Sequence, residues 1–167
     1  MCQQCLKADF ERGRPVLESA SEEIFYLGEA GSGMRAKLVN NAIAHTTMVM
    51  LLEGAALAVK AGVPIDVFYK LMRRESGLTR PLTHRFGERI LEQNFDGGMT
   101  TANARKDSAL ALELARELGV PTFTMQASHT VYEIAASQGL DRLDYASISK
   151  LWENWSGISF AGGTHDE

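Results

Sequence analysis

The stretch Gly28–Gly62, GEAGSGMRAKLVNNAIAHTTMVMLLEGAALAVKAG, decides the fold. It opens with a glycine-rich loop. From Met34 to about Ala61 it then holds no proline and one internal glycine, Gly54. That pattern predicts a single helix of roughly seven turns, about 40 Å long, well beyond the usual length in a globular domain. Ala, Leu, Met and Val occupy almost every face of its second half, which predicts a helix wrapped by others. Its first turns carry the polar cluster Lys37, Asn40, Asn41 and His45. These fall at i, i+3, i+4 and i+8 and therefore share one side of the helix.

Composition bounds the rest. A chain of 167 residues is one domain, or one domain with a fragment of another. An apolar fraction of 45% and a charged fraction of 23% are ordinary for a soluble globular protein. A net charge of -4, with no run of lysine or arginine, argues against a nucleic-acid surface. Glu53 and Lys60 interrupt the apolar stretches, so no membrane span is expected. The polar first residues do not read as a signal peptide. Cys2 and Cys5 have the spacing of a redox or half-metal motif, but no second cysteine pair accompanies them. They read better as reduced thiols at a terminus of a cytoplasmic protein.

Upstream of the long helix, Asp9 is placed to cap a helix from Phe10 to about Ser19. Glu22–Leu27, with Ile24, Phe25 and Tyr26, favours a strand. One strand cannot satisfy its own backbone, so this segment reads as the end of an α/β domain or as an edge that pairs with another chain. Between strand and helix lies Gly28-Glu-Ala-Gly31-Ser-Gly33. The context is that of a dinucleotide fingerprint, but the spacing is G-x-x-G-x-G rather than G-x-G-x-x-G. Two other readings fit: a tight turn with Ser32 as N-cap, or a loop whose glycines let a ligand or neighbouring domain approach the backbone. Lys37 reads as a solvated surface group. The alternative is a lysine near the interior, where desolvation would fit it for proton transfer near neutrality. His45, flanked by Ala44 and two threonines, reads as a core histidine.

The pattern Gly28-x-x-Gly31-x-Gly33-x-x-x-Lys37-x-x-Asn40-Asn41 resembles the catalytic motif of the β-hydroxyacid dehydrogenases, the family of 3-hydroxyisobutyrate dehydrogenase and tartronate semialdehyde reductase, related to 6-phosphogluconate dehydrogenase. The continuation Glu53–Val63 resembles the long interdomain helix of that family.

Beyond it, Gly62-Val63-Pro64 ends the helix. A helix follows from about Asp66 to Arg74, broken at Ser76-Gly77. Arg80-Pro81 to Glu92 reads as a loop leading into a third helix. Arg73, Arg74, Arg80 and Arg85 give this region a positive balance, read as solvated surface or as part of an anionic substrate site. Phe95-Asp96-Gly97-Gly98 is a turn. Asn103 is placed to cap an amphipathic helix, Ala104 to Leu118, with Leu110, Leu112, Leu114, Ala115 and Leu118 on its apolar surface. Helices from Thr122 to about Gln138, and from an Asp144 cap to about Trp155, complete the pattern.

Lys106-Asp107-Ser-Ala-Leu-Ala-Leu-Glu113 resembles the second signature of the same family. It departs at Ser108, where leucine is usual, and at Glu113, where aspartate is usual. The resemblance covers about residues 9–157 and implies a mainly α fold of the 6-phosphogluconate dehydrogenase C-terminal type around one long helix. By that resemblance residues 1–27 are the last helix and strand of a dinucleotide-binding domain. Residues 28–160 are an all-α catalytic and dimerisation domain, and 161–167 a disordered tail. The family's N-terminal NAD(P)-binding domain would precede Asp9. The implied chemistry is hydride transfer between a small 3-hydroxy acid and NAD or NADP. Lys37 is then the general acid/base, Asn41 and Asn40 bind substrate, and Gly31 and Gly33 let it approach. Lys106 and Asp107 lie at the nicotinamide end of the cofactor. The G-x-G-x-x-G of the dinucleotide-binding domain is nowhere in this sequence, and the implied partners are a second copy of the chain and a separate dinucleotide-binding partner. The competing reading is a non-catalytic all-α oligomerisation module.

Overall fold

The structure, a computed structural model, describes residues 7–74 and 77–161. Cys2, Cys5, Ser76 and the tail 162–167 lie outside the described residues. The chain divides into two compact units, Met1–Met48 and Val49–Glu167.

In the first unit, α1 (Lys7–Glu18) is followed by an irregular segment and then by the start of α2 (Ser32–Lys60). No strand forms at 22–27, contrary to the expectation from its β-favouring composition. Propensity is outvoted because no second strand is present among the described residues to complete its backbone hydrogen bonds. The segment folds back on α1 instead, with the Tyr26 ring 5.2 Å from that of Phe10. Phe25 and Leu27 stay exposed. At the glycine loop the chain turns through positive φ at Gly31 (+95°), and α2 begins one residue later, at Ser32.

The second unit holds the rest of α2, then α3 (Ile65–Met72), a π-helical segment Pro81–Ile90, α4 (Thr101–Glu117), α5 (Thr124–Ser137), a 3₁₀ turn Tyr145–Ile148 and α6 (Ser149–Ser156). The segment expected to be a loop after Pro81 is thus helical. Proline fits its first turn, where an N–H would find no partner, and wide-turn bonds such as Leu91 N–H to Phe86 C=O, at 3.1 Å, continue the coil. The cap of α4 is Thr100, not Asn103. Its hydroxyl accepts the Asn103 N–H at 3.2 Å. Asp144 caps the 3₁₀ turn through the Ala146 N–H at 2.9 Å.

Two small cores hold this unit. Leu57 of α2 packs with Ala115 and Val120, joined by Leu118 and Met125. Ile90, Phe95 and Ala146 form the other. On α4, Leu112 and Ala115 are buried, whereas Leu110 and Leu114 remain exposed, so its apolar face is narrower than the leucine count suggests. The wrapped helix expected of α2 is not what this chain provides. In the second half, where that cover was expected, Glu53 and Leu57 are buried, but Met48, Leu52 and Val59 are all more than half exposed. Among the described residues α2 is the helix long and apolar enough to cross a membrane by length and composition alone. Glu53 and Lys60 therefore interrupt it less than the sequence suggests.

Glu53 joins α2 to α5. Its Oε1 accepts the backbone N–H groups of Phe123 and Thr124 at 2.7 and 2.9 Å. Its Oε2 accepts the Thr124 hydroxyl at 2.7 Å and the Met125 N–H at 3.1 Å. The carboxylate thus satisfies the orphan donors of the α5 N-terminus and meets the positive end of its dipole. Burial pushes the carboxyl pKa up, but the four hydrogen bonds outweigh it and hold the value below the usual carboxylate range. Because the folded-state value is the lower one, this stabilisation is complete above the ordinary carboxylate pKa. It is lost as pH falls through the depressed value. Glu53→Ala strands these donors and is expected to cost about 3 kcal/mol in chemical unfolding at pH 7. The gap between variant and parent should narrow below pH 4, and a gap independent of pH would contradict the assignment to the ionised carboxylate.

Candidate functional site

The first group of site residues is set by α2 alone. Lys37, Asn40 and Asn41 lie within a turn of one another on its first half, and all three are exposed. Gly31 and Gly33, also exposed, precede them at the helix start. At Gly31 an added Cβ would meet only the Arg35 Nη1, at 3.4 Å, while Arg35 donates to the Ser32 hydroxyl at 2.8 Å. The face is therefore open, and the burial that one reading of Lys37 calls for is not supplied within its unit. His45 is exposed too, not a core histidine.

The second group lies in the second unit. Lys106 and Asp107 occupy the second turn of α4, with a 3.4 Å ion pair between them and both side chains more than half exposed. Beneath that turn is a buried seam. Thr101, fully buried, donates its N–H to Leu143 C=O at 2.8 Å, and Tyr145 donates its N–H to Met99 C=O at 2.9 Å. The Thr101 hydroxyl lies 3.2 Å from Ser147 Oγ. These bonds fix the start of α4, and hence the direction in which Lys106 leaves it.

The arginines read as solvated surface divide in two. Arg73 and Arg74 are exposed. Arg85 is not: its Nε lies 3.2 Å from Asp144 Oδ1, and its guanidinium sits 4.9 Å from the Tyr145 ring centre. Arg89 stands on the other carboxylate oxygen, Oδ2, at 3.6 Å. Both cations serve a buried aspartate. Gly98 is needed here, because a Cβ at that position would overlap Asp144 Oδ2. Burial, with Tyr145 and Asp144 adding negative charge, pushes the nearby Tyr132 phenol up to about 12.

Sequence reading missed a polar group behind Lys106. His129 Nδ1 lies 2.8 Å from Ser108 Oγ, and His129 Nε2 lies 3.5 Å from Glu133 Oε1. The signal available was the His129–Glu133 spacing of four on α5, together with a serine where the signature usually has leucine. Among the described residues there is no group of three or more His, Cys, Asp or Glu that could hold a metal ion.

The sequence profile described as NAD-binding of NADP-dependent 3-hydroxyisobutyrate dehydrogenase matches residues 31–152. The chain belongs to the β-hydroxyacid dehydrogenase family. It is 31% identical over 157 residues to 2-(hydroxymethyl)glutarate dehydrogenase of Eubacterium barkeri, an alignment that covers 94% of this chain and 52% of that protein. It is 30% identical over 138 residues to 3-sulfolactaldehyde reductase of Escherichia coli K12, covering 83% and 46%. The chain thus spans about half the length of the curated relatives it matches. An imine reductase structure from a Pseudomonas species superposes with a TM-score of 0.74 at 20% identity, covering 88% of this chain and 52% of that one. At that identity the likeness shows the fold alone, and the mainly α architecture agrees with it. A nicotinamide dinucleotide is the cofactor of the family. Lys106 is expected to be dispensable for folding, since an exposed ion pair contributes little. Lys106→Ala should leave the melting temperature unchanged within error, and a large drop would reveal a structural role instead.

Proposed function

We propose that this chain is the proton-transferring and subunit-pairing part of an NAD(P)-dependent 3-hydroxy acid dehydrogenase. The observation that carries this reading is the exposed α2 face on which Lys37, Asn40 and Asn41 follow the Gly31–Gly33 loop. An exposed lysine beside two primary amides offers a charge and hydrogen-bond set suited to a hydroxylated carboxylate or an aldehyde acid. Neutral Lys37 Nζ takes the hydroxyl proton as the alcohol is oxidised, and the ammonium returns it when the carbonyl is reduced. Asn41 hydrogen-bonds the substrate oxygen or carboxylate and fixes its orientation. Asn40 serves the substrate or the helix packing, and the glycines admit the substrate close to the backbone. When bound, the nicotinamide ring supplies the hydride acceptor or donor.

The residues present fit the nicotinamide end of such a cofactor. Lys106 offers an exposed ammonium paired with Asp107, and the seam at Thr101 holds its helix start in place. The glycine loop departs from the fingerprint that cradles a pyrophosphate. We therefore assign the adenosine and pyrophosphate half to a dinucleotide-binding domain, attached or separate. In the complete enzyme Lys37→Ala should lower kcat about 10²- to 10⁴-fold, with a smaller change in cofactor binding, and near-parental turnover would sink the assignment. The 167-residue chain alone should turn over poorly or not at all, and robust cofactor-dependent oxidation by it would count against the division of labour.

The partner in this reading is a second copy of the chain. Leu38, Val39 and Ile43 on the first half of α2 are more than half exposed, and apolar side chains left in water in this number suit an interaction surface. Light scattering at micromolar concentration should give a dimer or larger, and a clean monomer would favour a different cover for α2. The alternative function, an oligomerisation module without catalysis, draws on the same exposed helix. It differs in predicting no effect of NADH or NADPH on the chain's thermal stability.

A further inference from the structure

Ser108 departs from the leucine usual at its place in the family signature, and the structure gives the substitution a partner. Ser108 Oγ lies 2.8 Å from the Arg105 carbonyl and 2.8 Å from His129 Nδ1. The serine owns one proton for these two acceptors. On the far side of the ring, His129 Nε2 faces Glu133 Oε1 at 3.5 Å. Glu133 Oε2 in turn receives Arg105 Nη1 at 3.3 Å, and Arg105 Nε stands 3.9 Å from Asp141 Oδ1. The charged groups facing the imidazole are thus Arg105 from α4, Glu133 from α5 and, behind Arg105, Asp141 from the following turn. The imidazole itself is mostly covered, with 17% of its side chain exposed.

We infer that Ser108 and His129 form a proton-responsive brace that positions the α4 turn carrying Lys106 and Asp107. The inference rests on the reading above in which Lys106 meets the cofactor. With His129 neutral and its Nε2–H directed to Glu133, Nδ1 accepts the Ser108 hydroxyl. With His129 protonated, both ring nitrogens donate: Nε2–H to Glu133 and Nδ1–H to Ser108 Oγ. Ser108 must then turn its own hydrogen onto the Arg105 carbonyl. A serine bonded back to a carbonyl of its own helix bends that turn. Arg105 and Ser108 bracket Lys106 and Asp107, so the rotation of one hydroxyl acts on the two residues between them. Histidine is the side chain suited to make such a change near physiological pH. Ser108 and His129 are positioning residues in this scheme and touch neither substrate nor cofactor.

Nitrogen-15 NMR of the full 167-residue chain, titrated from pH 5 to 8.5, tests the brace without recourse to activity. The backbone amides of Lys106, Asp107 and Ser108 should titrate with the same midpoint as the His129 ring nitrogens. In Ser108→Ala their shifts should shrink at least threefold while His129 still titrates. Ser108→Thr, which keeps the hydroxyl, should restore them and serves if the alanine variant is poorly folded. Amides that ignore His129, or that follow it unchanged without the hydroxyl, overturn the inference. A separate calorimetric titration of NADH into the complete enzyme, with its dinucleotide-binding domain present, tests the link to cofactor. Between pH 6 and 8 the dissociation constant should shift about fivefold, and that shift should vanish in Ser108→Ala. If Lys106→Ala leaves NADH binding unchanged, or no binding is seen at all, the cofactor reading fails and the NMR result alone decides the brace. If Lys106→Ala weakens binding but the pH shift survives in Ser108→Ala, the coupling of the brace to cofactor fails.

Discussion

The carboxylate of Glu53 is the interaction on which the second unit most depends. An acidic residue in an apolar helix is costly unless its oxygens are filled. Here both oxygens are filled by the first turn of α5. That single contact places α5 against α2 and holds Met125 beside Leu57 and Val120. Gly54, the next residue, faces the Phe68 ring and Met125 Cε, where an added Cβ would make ordinary van der Waals contact at 3.6 and 3.7 Å. Glu53 is thus a helix cap supplied from seventy residues away in the chain.

A second buried acid organises the other end of this unit. Asp144 is fully buried, caps the 3₁₀ turn, faces Arg85 and Arg89, and leaves no room for a side chain at Gly98. The paired bonds between 99–102 and 141–145 run beside it and fix the beginning of α4. The stability of the unit and the placement of Lys106 therefore share one polar seam. A change at Asp144 thus acts on the start of the helix that carries Lys106.

The composition of α2 and its burial disagree, and that mismatch is informative. A helix apolar on most faces normally lies inside, but this one leaves Leu38, Ile43 and Leu52 largely exposed. Its polar residues Lys37, Asn40 and Asn41 are equally bare. The same helix thus carries bare polar and bare apolar side chains together, which is the surface the proposed function draws on.

By itself the sequence determined the helical class, the extent of α2 and the ends of most helices. Those features rest on local physics: uninterrupted helix formers, and glycine or proline at the stops. It also placed Lys37, Asn40 and Asn41 on one side of a helix, because the helical period alone sets that. Tertiary structure decided the rest. Residues 22–27 have strand composition but no strand, since pairing needs a partner that composition cannot supply. Thr100 caps α4 rather than Asn103, because the seam to 141–145 fixes where the helix starts. Arg85 turns inward because Asp144, sixty residues later, needs a counter-charge. Ser108 gains a role only when α5 brings His129 to it. Each of these outcomes depends on a contact between distant parts of the chain, and period and propensity carry no record of such contacts.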